Sequence, residues 1–147
     1  MQIHSNIPWY YSCGATVIGL LSGKHPSAIE SEIVKYRRKH SPKKDDHSFT
    51  QKFIDDKNYT YWSELRYFLR KKIGKNRTVD IWDKNIKLKD FADQMRQKGW
   101  FIVLTKNHVQ IINDMLVYDC NALRGEWVHC HVWKNQRIIC YVRLNDV

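Results

Sequence analysis

A chain of 147 residues, 43% apolar and 13% aromatic, has the size and composition to bury a core as one domain, which excludes a disordered polymer. No apolar run reaches membrane-spanning length, and the opening Met1-Gln2-Ile3-His4-Ser5-Asn6 lacks the basic-then-apolar order of a secretory signal. The net charge of +10 is uneven: residues 35–77 carry 14 Lys/Arg against 5 Asp/Glu. One-sided charge of this kind attracts nucleic acid or an acidic protein partner, or serves simply as a solvated surface. Four cysteines, at 13, 120, 130 and 140, are too sparse for a disulfide scaffold, so reduced thiols in a cytoplasmic setting are expected.

In chain order, Cys13-Gly14-Ala15-Thr16-Val17-Ile18-Gly19-Leu20-Leu21 reads as an apolar helix with a thiol at its mouth and Gly23 as its cap. Unsatisfied N–H groups at a helix start favour a thiolate over a thiol. Ser27-Ala28-Ile29-Glu30 has the capping-box pattern, with Pro26 just ahead of it, and Ile29, Ile33, Val34 and Tyr36 carry a second helix to about Arg38. The polar stretch 41–58 reads as a loop. Trp62, Leu65, Phe68, Leu69 and Ile73 recur at helical spacing up to Gly74. Arg66, Arg70, Lys71 and Lys72 lie on that helix and are the candidate partner-binding residues.

Residues 77–82 alternate as a strand does, and Leu88, Phe91 and Met95 predict a short helix ending at Gly99. Trp100 to Thr105 is a continuous apolar run suited to a buried strand. Next comes His108 to Asp119, with Asn113-Asp114 as a two-residue hairpin turn. In that register positions summing to 227 pair, and His108 faces Asp119 directly across the ladder. Glu126 to Trp133 and Gln136 to Leu144 read as a closing hairpin turning at Lys134-Asn135, with His129 opposite Cys140 and His131 on the same face. Cys120 or Cys130 could complete a zinc-like set there, but no C-x-x-C exists, and packed strand residues are the expected outcome. The six glycines form no phosphate loop. No metal and no cofactor is expected. Helices first, then an antiparallel sheet, make the class α+β, as one domain over 1–147.

A cysteine at a helix start, a strand histidine and a carboxylate beside it are the parts of nucleophilic acyl transfer. Cys13 would attack, His108 would move the proton, and Asp119 would orient the imidazole, with Asn121 or Asn107 as other possible orienters. The arrangement resembles the papain-like cysteine peptidases, and in detail the bacteriocin-leader peptidases found at the N-terminus of peptide-exporting ABC transporters. The likeness rests on Cys13-Gly14, the Trp62–Ile73 helix, the run Trp100–Thr105, His108-Val109 and Asp119, and spans residues 9–121. It implies a Cys helix packed on a C-terminal antiparallel sheet, a Cys13-His108-Asp119 triad and hydrolysis of a peptide bond. The chain departs from the family in three places: Ser12 stands where an acidic residue usually precedes the cysteine, Ile7 replaces the oxyanion Gln, and Cys120 replaces the proline after the Asp. Asn6, or Gln2, is the nearby amide that would join the Cys13 backbone N–H in an oxyanion hole. The same triad serves deamidases, transglutaminases and acyltransferases. The alternative is a non-enzymatic accessory protein of a phage or mobile element, binding nucleic acid or an acidic protein through residues 35–77.

Overall fold

The computed structural model describes residues 13–40, 62–73, 78–81, 86–106 and 108–144. Asn6 and Gln2, the 41–58 stretch and Asn107 lie outside the described residues. The class is α+β. Helices α1 (Cys13–Ser22), α2 (Pro26–His40) and α3 (Trp62–Ile73) come first. Strand β1 (Thr78–Ile81), helix α4 (Leu88–Gln94) and strands β2 (Trp100–Thr105), β3 (His108–Asn113), β4 (Leu116–Asp119), β5 (Ala122–Trp127) and β6 (Ile138–Leu144) follow. The strands form one six-stranded antiparallel sheet in the order β1-β6-β2-β3-β4-β5.

Alternation along the strands gives the sheet two buried faces. One face, with Ile102, Val109, Ile111, Val142 and Leu144, packs against α1, α2 and α3. The other, with Phe101, Val103, Ile112, Val117 and Tyr141, packs against α4 and a single 3-10 turn, Val128–Cys130. Helix α1 is buried from Gly14 to Leu21, on every side, as a helix that is apolar all round must be. It stops at Gly23, whose φ of 78° lets its N–H reach back to the Gly19 carbonyl at 2.8 Å. The predicted Ser27 capping box is not formed. Pro26 occupies the first helical position, and the Nδ1 of His25 accepts the Ser27 N–H at 3.2 Å, so the preceding histidine does the capping.

Two hairpin readings are corrected. The β3–β4 turn is Asp114-Met115 and not Asn113-Asp114: Asn113 pairs with Leu116 and Ile112 with Val117, so paired positions sum to 229. Both turn residues have positive φ, 44° and 73°, the signature of a type I′ turn, and the Met115 side chain is buried in the α4-side core. Burial of that side chain outweighed the usual preference for Asn or Asp. Asn113 is a strand residue whose Nδ2–H donates to the Gly99 carbonyl at 2.9 Å. The closing hairpin does not exist either. Glu126 and Trp127 end β5, the chain then turns through Val128–Cys130, and β6 begins at Ile138 with β2, β3 and β4 between it and β5. Residues 131–136 make successive turns, and Gln136 and Ile138 bond to the backbone of Leu88 and Ile86. His129 is therefore exposed and does not pair with the buried Cys140.

Candidate active site

The start of β3 meets the mouth of α1. Cys13 is the first residue of α1, and backbone N–H groups of Gly14 and of Val109 face its sulfur. The thiol is half-buried and within hydrogen-bonding reach of the His108 imidazole. Burial alone would push this thiol up, but the hydrogen bond and positive charge of His108, with the two backbone donors, hold it below the ordinary thiol value.

His108 opens β3, opposite Thr105 of β2. Its Nε2 donates to Asp119 Oδ2 at 2.8 Å, which leaves Nδ1 for the thiol. The two-position shift of the β3–β4 register means that His108 and Asp119 are not directly opposed, as the sequence reading had them. A shift of two keeps both side chains on the same face, however, and they meet as diagonal neighbours. Burial would lower the His108 pKa. The Asp119 carboxylate and the Cys13 sulfur outweigh it and raise the imidazole to about 9. Asp119 ends β4. Burial would raise it, but hydrogen bonds from two histidines hold it well below the usual carboxylate range.

The second histidine is His131. Its Nε2 donates to the same Oδ2 at 2.7 Å, and its Nδ1 accepts the Trp133 backbone N–H at 3.1 Å, an arrangement that fixes the Nε2–H tautomer. The other oxygen of Asp119 accepts the Asn121 backbone N–H at 2.8 Å, closing an Asx turn over Cys120-Asn121 between β4 and β5. Asn121 thus supports Asp119 by its backbone rather than replacing it. Asp119, His131 and His108 are 0%, 1% and 5% exposed. The half-buried indole of Trp133 lies against the His108 ring, centroids 4.0 Å apart, and covers it.

Sequence reasoning missed His131 and Trp133 as part of this cluster because it laid residues 126–133 out as a strand. The only signal pointing to them is the density of His129, His131 and Trp133 in a segment that has no partner strand. Among the described residues no group of three or more His, Cys, Asp or Glu side chains is placed to hold a metal ion. The cysteines are free. Cys120, beside Asp119, is pushed up to about 12 by burial and by the charges of Asp119 and Cys13, so of the two thiols it is Cys13 that is prepared for ionisation. A cleft of about 580 Å³ runs from Cys120 along β5 past Arg124 to Glu126.

The candidate partner-binding residues lie on α3. Arg70 and Lys71 are exposed and Arg66 is half-buried, whereas Lys72 is paired with Glu32 of α2 at 3.1 Å. Within the same basic segment Arg37 is buried against Glu64 through two bonds of 2.6 and 2.8 Å. No helix among the described residues is long and apolar enough to cross a membrane. No family model, curated protein or solved structure matches this chain.

Proposed function

We propose that this protein is a cysteine hydrolase of papain-like type, most suited to cleaving a peptide bond through Cys13, His108 and Asp119. The observation that carries the reading is the buried His108–Asp119 bond of 2.8 Å with the half-buried Cys13 thiol beside the His108 ring. A Cys helix packed on a C-terminal antiparallel sheet, with the thiol at its mouth, is what the papain-like resemblance implies.

In this reading the Cys13 thiolate adds to the scissile carbonyl while His108 carries the proton as imidazolium. Collapse of the tetrahedral intermediate breaks the C–N bond, and His108 passes its proton to the leaving amine, leaving a thioester on Cys13. A water then gives a proton to His108 and adds to the thioester. The acid departs and the thiolate–imidazolium pair is restored. Asp119 stays ionised throughout and stabilises the imidazolium. The backbone N–H at the start of α1 is one oxyanion donor, and Asn6 or Gln2 is the proposed second. The cleft along β5 is the proposed approach for substrate. Amide groups of side chains, or amine acceptors in place of water, would react through the same steps.

The test is site-resolved alkylation by iodoacetamide at pH 5 to 6. Cys13 should react well ahead of Cys120, Cys130 and Cys140 and lose that lead in His108→Ala. An accessible Cys13 that reacts no faster than the other three would refute the reading. A mixed-sequence peptide library then reports cleavage.

One observation favours a second reading, a non-enzymatic protein that binds nucleic acid or an acidic protein. Tyr67, 39% exposed, stacks on Tyr36 at 4.4 Å, beside a cleft of about 650 Å³ lined also by Arg66, Arg70 and Lys71. Rings beside cations suit bases and phosphates together. Binding of a labelled single-stranded oligonucleotide that weakens steeply with salt would support it.

A further inference from the structure

His131 has no part in the reaction just described, yet it is buried and aimed at the centre of the site. We propose that His131 is a positioning residue, whose Nε2–H locks the Asp119 carboxylate in the orientation that His108 needs. The proposal rests on the cysteine-hydrolase reading.

The geometry carries it. Oδ2 of Asp119 accepts from His108 at 2.8 Å and from His131 at 2.7 Å, and Oδ1 accepts from Asn121 N at 2.8 Å. Rotation of the carboxylate about its last bond would break all three contacts. His131 cannot drift or change tautomer cheaply, because its Nδ1 is held by the Trp133 N–H at 3.1 Å. The same short turn sets Trp133 against the His108 ring at 4.0 Å. One loop, 131–133, therefore grips the carboxylate on one side and the imidazole on the other. A triad needs only one donor on its carboxylate from the histidine. A second imidazole on the same oxygen lowers the carboxylate's affinity for protons, so that it stays charged beside His108 under acid conditions. The titratable groups facing Asp119 are His108 from β3, His131 from the loop and Cys120 next along the chain, while Cys13 from α1 faces His108 and Cys120.

The test is the pH profile of Cys13 alkylation by iodoacetamide in the full chain, compared among wild type, His131→Phe and His131→Gln. Phenylalanine fills the buried space without a donor. Glutamine can return an N–H to the Nε2 position. Without that hydrogen bond the carboxylate can turn away from His108, the imidazolium is held less firmly beside the thiolate, and the acid limb of the profile, which reports the Cys13 thiolate, moves upward by about one pH unit. Within that limb His131→Phe should react about tenfold more slowly than wild type, while at pH 8 the two agree within about twofold. His131→Gln should return the acid limb to the wild-type position.

A folded His131→Phe with the wild-type acid limb would overturn the proposal and leave the hydrolase reading intact. A wild-type Cys13 with no kinetic lead would remove that reading and the proposal with it. Should His131→Phe fail to fold, side-chain nitrogen NMR of the wild type decides: an Nε2–H tautomer with a slowly exchanging proton on His131 supports the proposal, and an Nδ1–H tautomer or a fast-exchanging ring overturns it.

Discussion

Two buried acid–base pairs hold this molecule together, and they could hardly be used more differently. At the junction of α2 and α3, Arg37 and Glu64 meet through two parallel bonds, with side chains 2% and 7% exposed. At the other, His108 and Asp119 meet through one bond, with a second histidine behind the carboxylate and a thiol in front of the ring. A guanidinium stays charged at any working pH and presents a rigid fork, so the first pair can fasten but cannot move a proton. An imidazole changes its charge within the working range, so the second pair can do both. Burial plus a charged partner is therefore not in itself a sign of a site. What marks one is a titratable partner and a nucleophile within reach of it.

Breaking each pair should separate the two roles. The largest effect belongs to the nucleophile and base. Cys13→Ala or His108→Ala should lower kcat/KM toward a cleaved peptide by about four orders of magnitude or more, measured on folded protein. The melting curve should change little for Cys13→Ala. Glu64→Gln should do the reverse. Leaving one charge of a buried pair without its partner costs about 3–5 kcal/mol in a urea titration. Cys13 alkylation by the folded fraction should stay at the wild-type rate. The double variant Arg37→Met/Glu64→Leu should regain much of that loss, since a buried ion pair exchanged for apolar packing is often neutral. If Glu64→Gln instead changed Cys13 reactivity, the two regions would be coupled and the contrast would fail.

The contrast also explains what could be read before the fold was known. Among the described residues, periodicity and glycine caps located the four α-helices, because Leu65, Phe68 and Leu69, or Phe91 near Gly99, carry their pattern locally. Cys13 and His108 were legible for the same reason: each sits at the end of an element whose type the pattern declares. Asp119 was found through a wrong register and the right face. Side chains alternate with period two, so a slip of two positions exchanges a direct neighbour for a diagonal one without turning the residue over. Met115 caused the slip, since no local rule favours methionine at positive φ, and only burial in the distant α4-side core settles it. His131 was illegible as a partner because the β5–β6 connection is made of non-repeating turns, anchored to residues 86–89 far earlier in the chain. The Arg37–Glu64 pair joins residues 27 apart across a segment with no pattern linking them.

A pH series sharpens the account of the His108–Asp119 pair further. His108 is raised from 6.5 to about 9, so its contribution to stability is complete below pH 6.5 and is lost as pH rises through about 9. Asp119 is depressed, so its contribution is present above the ordinary carboxylate range and is lost only as pH falls through its folded value. Function should divide at the alkaline end. Peptide hydrolysis needs the imidazolium to protonate the leaving amine and should fall above about pH 9, while Cys13 alkylation needs only the thiolate and should not fall with it. Parallel decline of both rates above about pH 9 would mean that Cys13 reactivity itself requires the His108 proton, and the division would fail.

The smallest effect tests the outer edge of the basic segment. Lys72 of α3 pairs with Glu32 of α2 at 3.1 Å, and the glutamate side chain remains 33% exposed to water. Partly solvated pairs of this kind are worth about 0.2–1 kcal/mol and weaken with salt. Lys72→Ala should therefore shift the urea midpoint slightly at low ionic strength and hardly at all in molar salt, with Cys13 reactivity unchanged. It also separates two uses of the same positive charge. Arg70 and Lys71, exposed on the same helix, would have to supply any long-range attraction for an anionic partner, since Lys72 is engaged within the fold. Neutralising Arg70 and Lys71 should then weaken oligonucleotide binding, if any is observed, more than Lys72→Ala does, and the reverse order would place the anionic surface on the α2–α3 junction itself.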